Sequence, residues 1–241
     1  MMSLNIHTMP RVNHSEEKVV TKEPREASEL YKMLLKSGCI KFGVFKQEKG
    51  RLSSISLDLK LIPSIPKGMD RVVTILENMT RNEIGVENFD RIAGMPTTGI
   101  TFASILSYKL SKPFLYIKEA AETRGREKKI DGLLSPGDRI LIVDDLIASG
   151  KSLLRAVDVI RGEGGIVSDV LVLVDREEGG VEKLSKVAVK LHTFAKISEV
   201  ITKLHDANLI DKKCYEEVVG KGVFKELDSE KTTISPDESY S

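Results

Sequence analysis

The stretch Ile140-Leu-Ile-Val-Asp-Asp-Leu-Ile-Ala-Ser-Gly-Lys-Ser152 decides how the chain is read. Arg139 to Val143 is an apolar run of strand length that meets Asp144 and Asp145 with no turn between them. Leu146, Ile147, Ala148, Ser149, Gly150, Lys151 and Ser152 follow. Leu153, Leu154, Val157 and Ile160 then recur at helical spacing and predict a helix over Gly150–Arg161. A loop of small residues at a helix N-terminus offers unpaired backbone N–H groups and the positive end of the helix dipole, which together form a phosphate cradle. Two carboxylates beside it would repel a bare phosphate. They fit a ligand that also carries hydroxyls, a metal or a developing positive charge, and a ribose 5-phosphate supplies that combination. Alone, the Asp-Asp pair also admits a solvated strand end as the lesser reading. A nucleotide P-loop is excluded, because G-x-x-x-x-G-K-[ST] needs Gly where Asp145 stands.

Outward from this stretch, strands and helices alternate. Toward the N-terminus, Arg91–Met95 and Pro113–Lys118 read as strands, and Gly99–Leu110 reads as a helix between them. Glu119 to Pro136 is charged and has no apolar period. Toward the C-terminus, Val167–Val174 and Val187–Phe194 read as strands, followed by helices near Ser198–His205 and Asp211–Val219. Before these lie a helix at Pro24–Ser37, a strand at Ile40–Phe45, an alternating strand from Ser54 to Leu61, and a helix from about Gly68 to Asn82. Such alternation implies a parallel sheet covered on both faces, with its ligand site at the carboxyl ends of the strands. Chemistry is therefore expected after Met95, Lys118, Val143 and Val174.

Bulk properties narrow the class. The 241 residues are 41% hydrophobic and 30% charged, with a formal net charge of +1, so anion binding must be local rather than a bulk field. Cys39 and Cys214 are far apart, and the four histidines form no zinc spacing. No stretch reaches membrane-span length and the first 25 residues lack a secretory apolar core, so a cytoplasmic protein without membrane contact is expected. No basic stripe or DNA-reading helix is visible, so no nucleic-acid partner is expected. Residues 1–23 and 223–241 read as flexible polar tails around one domain over 24–222.

The run 140–152 resembles the signature of type I phosphoribosyltransferases: four apolar residues, two acids, then a loop of small and hydroxyl residues. Other segments resemble the orotate phosphoribosyltransferase branch, in order and spacing over about residues 28–205. These are Leu35 to Phe45, Ala93-Gly-Met-Pro-Thr-Thr-Gly99, Tyr116-Ile-Lys-Glu-Ala120, and Leu173-Val-Asp-Arg-Glu-Glu-Gly-Gly180. The resemblance implies an α/β fold with a central, mostly parallel sheet flanked by helices and a small N-terminal hood over about residues 24–65. It implies transfer of 5-phosphoribosyl from 5-phosphoribosyl 1-pyrophosphate (PRPP) to orotate. PRPP would contact Thr97, Thr98, Gly99, Lys118, Asp144, Asp145, Leu146, Ile147, Ala148, Ser149, Gly150, Lys151 and Ser152. Lys118, Arg124, Asp144 and Asp145 would serve catalysis, and Ala148 and Arg176 would face orotate. Mg²⁺ would be held mainly by PRPP, with Asp144 and Asp145 reaching it through water, and the family usually forms homodimers.

The chain departs from the family's mobile loop, Arg-Lys-Glu-Ala-Lys followed by a His-Gly step. Ile117 stands at the first Arg, Ala121 or Glu122 at the second Lys, and Arg124 at the His. Ala148 replaces a Thr, Glu48 a Lys, and Ser56 and Leu57 an aromatic pair. Arg126, Lys128 and Lys129 are candidate substitutes or solvated loop charges. Two further readings therefore stand beside the enzyme: a PRPP- or nucleotide-sensing regulator, and a phosphoribosyltransferase for another base. Taken alone, Arg176 reads as a surface salt bridge to Glu177 or Glu178.

Overall fold

The computed structural model describes residues 23–46, 52–118 and 129–219. The expected tails, the turn holding Glu48, and the loop holding Ala121 and Arg124 fall almost wholly outside them. The chain opens with α1 (Glu23–Lys36) and an antiparallel pair, β1 (Ile40–Lys46) and β2 (Leu52–Leu57). Next come α2 (Pro66–Met79), β3 (Arg91–Gly94), α3 (Thr98–Leu110), β4 (Phe114–Ile117) and β5 (Ile130–Asp131). The second half runs β6 (Arg139–Ile147), α4 (Lys151–Gly162), β7 (Ile166–Asp175), α5 (Gly180–Ser185), β8 (Lys190–Lys196), α6 (Ile197–Asp206) and α7 (Lys212–Val219).

Among the described residues the main sheet has six strands in the order β5-β4-β3-β6-β7-β8. All neighbours pair parallel except β5, which runs antiparallel to β4. The two-residue period of a strand sorts the sheet's side chains into two cores. Ile92, Leu141, Val143, Leu171 and Leu173 join α2, α3 and α6, with α1 and the β1–β2 pair packed against the same core. Ala93, Ile140, Ile142, Val170 and Val172 join α4 and α5. Both faces are covered, so the central strands are apolar throughout. No helix of the described residues is long and apolar enough to cross a membrane.

Several boundaries differ from the sequence reading, each for a local reason. The strand expected over Ser54–Leu61 ends at Leu57, and Leu59–Ser64 is a 3₁₀ helix. The Asp58 carboxylate accepts the Lys60 N–H at 3.3 Å, and Leu59 and Ile62 bury themselves three residues apart. The charged stretch after Lys118 contains β5, too short to show a period. Helix α5, also short, begins at a glycine pair. It displaces the last strand from Val187–Phe194 to Lys190–Lys196.

The most consequential difference is β6. It does not stop at Val143 but pairs with β7 through Asp144↔Val172, Leu146↔Val174 and Ile147↔Asp175. Leu146 and Ile147 are strand residues, and the loop before α4 shortens to residues 148–150.

Opposite ends of α3 make the packing claim measurable. Phe102 is wholly buried, whereas Tyr108, one of the outward-facing residues, is 85% exposed. Phe102→Ala is expected to cost about 3–5 kcal/mol in urea unfolding, and Tyr108→Ala to stay within about 0.5 kcal/mol.

Candidate active site

The parallel strands deliver their ends to one edge. In sheet order these are Ile117 with Lys118, Gly94 with the turn to Thr98, Ile147 with the loop to Lys151, and Asp175 with Arg176. The sequence-predicted residues among those described therefore lie along one rim, with β6 at its centre.

Asp144 and Asp145 form the middle of that rim. Asp144 Oδ1 accepts the Asp145 N–H, and Asp145 Oδ1 accepts the Leu146 N–H, each at 2.8 Å. Thr98, at the start of α3, adjoins the pair. Burial pushes the Asp144 carboxyl well above the usual carboxylate range, and the charge of Asp145 pushes it the same way. Burial also raises Asp145, against hydrogen bonds from Asp144, the Leu146 N–H and Thr98. Helix α3 starts directly against this pair. A Cβ on Gly99 would lie 2.7 Å from Asp144 Oδ1 and 2.8 Å from the Val143 carbonyl, so the approach requires glycine. The Pro96–Thr97 peptide just before it is cis.

Residues 148–150 close the gap between β6 and α4. Gly150 has φ +74°, a left-handed conformation that glycine adopts without strain. Lys151 and Ser152 open α4 and are exposed. The loop backs onto the segment after β7. The Arg176 N–H donates to the Ile147 carbonyl at 2.8 Å, and Lys183 Nζ donates to the Ser149 carbonyl at 2.9 Å. A Cβ on Gly180 would come within 2.6 Å of the Ala148 carbonyl.

The flanking cations are both engaged. Lys118 Nζ lies 3.3 Å from Asp131 on β5, and the Asp131 carboxylate also accepts the Tyr116 hydroxyl at 2.8 Å. Arg155 of α4 donates to the Lys118 carbonyl at 3.2 Å. Arg176 Nη2 lies 2.9 Å from Glu178 Oε1, the local pairing that its sequence neighbours suggest. Beside it, Asp175 is buried and accepts the Glu177 N–H at 2.8 Å, and burial raises its carboxyl. Ile117 is buried and directs no polar group to the rim. Sequence reasoning missed Asp131, Arg155 and Lys183. Asp131 lies on a strand too short to recognise, Lys183 on a helix of six residues, and Arg155 in a helix where it reads as an ordinary surface charge.

Two acids side by side at the end of a buried strand, their carboxyls raised by burial, make this rim a candidate functional position. Among the described residues no cluster of three or more His, Cys, Asp and Glu side chains could hold a metal by itself. The donor set instead fits a hard cation carried in on a ligand's own oxygens, with the Asp pair facing it.

The raised carboxyls have a thermodynamic consequence. Between the ordinary carboxylate value and the raised one, the folded chain binds more protons than the unfolded chain. Stability attributable to this pair is therefore present at low pH and falls as pH rises through that window. Asp144→Asn is expected to melt above the wild type at neutral pH, and the gap should close as pH falls through the ordinary carboxylate range. A gap independent of pH would show that the pair is not strained by its charge.

The chain matches the family described as "Phosphoribosyl transferase domain" over residues 60–205. It is 36% identical to an orotate phosphoribosyltransferase of Cenarchaeum symbiosum over 185 residues, covering 77% of this chain and 92% of that protein. It is 35% identical to one from Sulfolobus acidocaldarius, covering 80% and 98%. The crystal structure of orotate phosphoribosyltransferase from Aeropyrum pernix superposes with a TM-score of 0.63 at 28% identity, covering 73% of this chain and 99% of that one. The chain belongs to the orotate phosphoribosyltransferase family, within the type I phosphoribosyltransferases.

Proposed function

We propose that this chain transfers the 5-phosphoribosyl group of PRPP to orotate, giving orotidine 5-phosphate and pyrophosphate in pyrimidine biosynthesis. The observation that carries the reading is the β6–α4 junction, where a buried Asp144 and a part-buried Asp145 run into a three-residue loop at a helix N-terminus. In the reaction, the bond from the anomeric carbon to the diphosphate oxygen breaks and a bond to a ring nitrogen of orotate forms. The transition state has the character of an oxocarbenium ion, so negative charge beside the ribose favours it.

Each side chain then has a task. Asp144 and Asp145 hold the ribose hydroxyls and stabilise the positive charge that develops on the ring. Backbone N–H groups of residues 148–152 hold the 5-phosphate, aided by the positive end of α4. Thr97, Thr98 and Gly99, at the start of α3, face the diphosphate. Lys118 stabilises the departing diphosphate, and Arg124 is assigned to the same charge from the adjoining loop. Ala148 and Arg176 face orotate; a guanidinium fork suits the carboxylate of that base and would exchange Glu178 for it. Mg²⁺, when bound through PRPP with Asp144 and Asp145 reaching it by way of water, neutralises charge on the leaving group. A cytoplasmic homodimer completes the reading, as the family resemblance implies.

Orotate consumption, followed by its ultraviolet absorbance with PRPP and Mg²⁺, is expected for the purified protein. PRPP binding without consumption would favour the sensing alternative. Pyrophosphate release with a base other than orotate would favour altered specificity. Arg176→Lys is expected to raise the KM for orotate on the order of 10- to 100-fold, the worth of a hydrogen bond to a charged group, and to leave PRPP affinity unchanged.

Lys118→Ala and Asp145→Ala should each abolish most activity. Mixing the two inactive variants should restore part of it if one subunit's loop completes its neighbour's site. Absence of recovery in a preparation that sediments as a dimer would rule out sharing.

A further inference from the structure

We propose that Lys183 is a positioning residue for the 5-phosphate of PRPP, acting through the backbone of residues 147–150; this rests on the phosphoribosyl reading above. A trans peptide is planar, and its C=O and N–H point in opposite directions. Fixing a carbonyl therefore aims the N–H of the next residue. Three successive carbonyls here are turned toward one segment, residues 176–183. The Ile147 carbonyl accepts the Arg176 N–H at 2.8 Å. The Ala148 carbonyl lies against Gly180, where a Cβ would come within 2.6 Å of it. The Ser149 carbonyl accepts Lys183 Nζ at 2.9 Å.

The consequence is that the N–H groups of Ala148, Ser149 and Gly150 face away from that segment, toward the open side of the loop. Successive N–H groups directed to one side form the nest that an anion occupies. The Ile147 carbonyl is held by a backbone N–H, and the Ala148 carbonyl is packed against Gly180. The third depends on a side chain, and it fixes the N–H of Gly150, the residue least able to hold its own conformation. Lys183 is part-buried on a short helix that its own side chain ties to the loop. The segment that carries Arg176 thus also sets the phosphate loop, so the base side and the phosphate side share one piece of chain.

The test is calorimetry on the full chain with PRPP, ribose 5-phosphate and magnesium pyrophosphate as separate ligands. Lys183→Met should weaken PRPP and ribose 5-phosphate by a common factor, on the order of 10-fold. Pyrophosphate affinity should not change. Lys183→Arg, which keeps a charged donor, should recover most of the loss. Gly180→Ala, which pushes on the Ala148 carbonyl, should weaken the same two ligands. In turnover, Lys183→Met should raise the KM for PRPP while leaving the KM for orotate in place. Wild-type affinity of Lys183→Met for ribose 5-phosphate would overturn the assignment, as would equal weakening of all three ligands. A wild-type chain that binds no PRPP would instead overturn the phosphoribosyl reading on which the assignment rests.

Discussion

Asp144 and Asp145 are held in β6 by its ladder with β7, beside Ile140, Leu141, Ile142, Val143 and Ile147, which are apolar and buried. That placement constrains the surroundings. The acids cannot swing into solvent without breaking ladder hydrogen bonds at the centre of the sheet. Burial opposes ionisation of both acids, and the charge of Asp145 opposes that of Asp144 as well. Gly99 follows from the same constraint, since a larger residue would drive α3 away from the pair. Gly150 and Gly180 follow from it too, because β6 continues to Ile147 and leaves only three residues to turn into α4.

The rest of the fold supplies the setting. Parallel pairing brings four strand ends to one edge, so groups far apart in sequence line up: Lys118 from β4, the α3 start after β3, the acid pair and loop of β6, and Arg176 after β7. Helices α4 and α5 couple the parts. Arg155 of α4 holds the Lys118 carbonyl, and Lys183 of α5 holds the Ser149 carbonyl. A formal net charge of +1 over the chain is then no obstacle to binding a polyanion. The attraction comes from oriented N–H groups and a few cations at the rim, not from a field spread over the surface.

Much of this could be read from residue order. The alternation of apolar strands with amphipathic helices predicted the parallel sheet, and the run 140–152 lies at the end of a central strand. What escaped had physical reasons. Periodicity cannot register β5, which has two residues, or α5, which has six. Leu59 and Leu61 look like strand alternation until Asp58 caps a 3₁₀ turn. The strand is expected to stop before the acids at 144 and 145 because charge rarely continues a buried strand. Here the ladder with β7 overrides that preference. Asp131 and Lys183 carry no sequence signal, since their meaning lies in a partner, Lys118 or the Ser149 carbonyl, that only the fold brings near.

The central claim is that the β6–α4 junction holds a ribose phosphate, with hydroxyls on the acid pair and phosphate on the loop. A crystal structure with PRPP and Mg²⁺ tests it most directly. The account predicts 5-phosphate oxygens on the N–H groups of residues 148–152, and the ribose 2- and 3-hydroxyls against Asp144 and Asp145, directly or through water. A 5-phosphate bound elsewhere on the rim, or a ribose turned away from both acids, would contradict it.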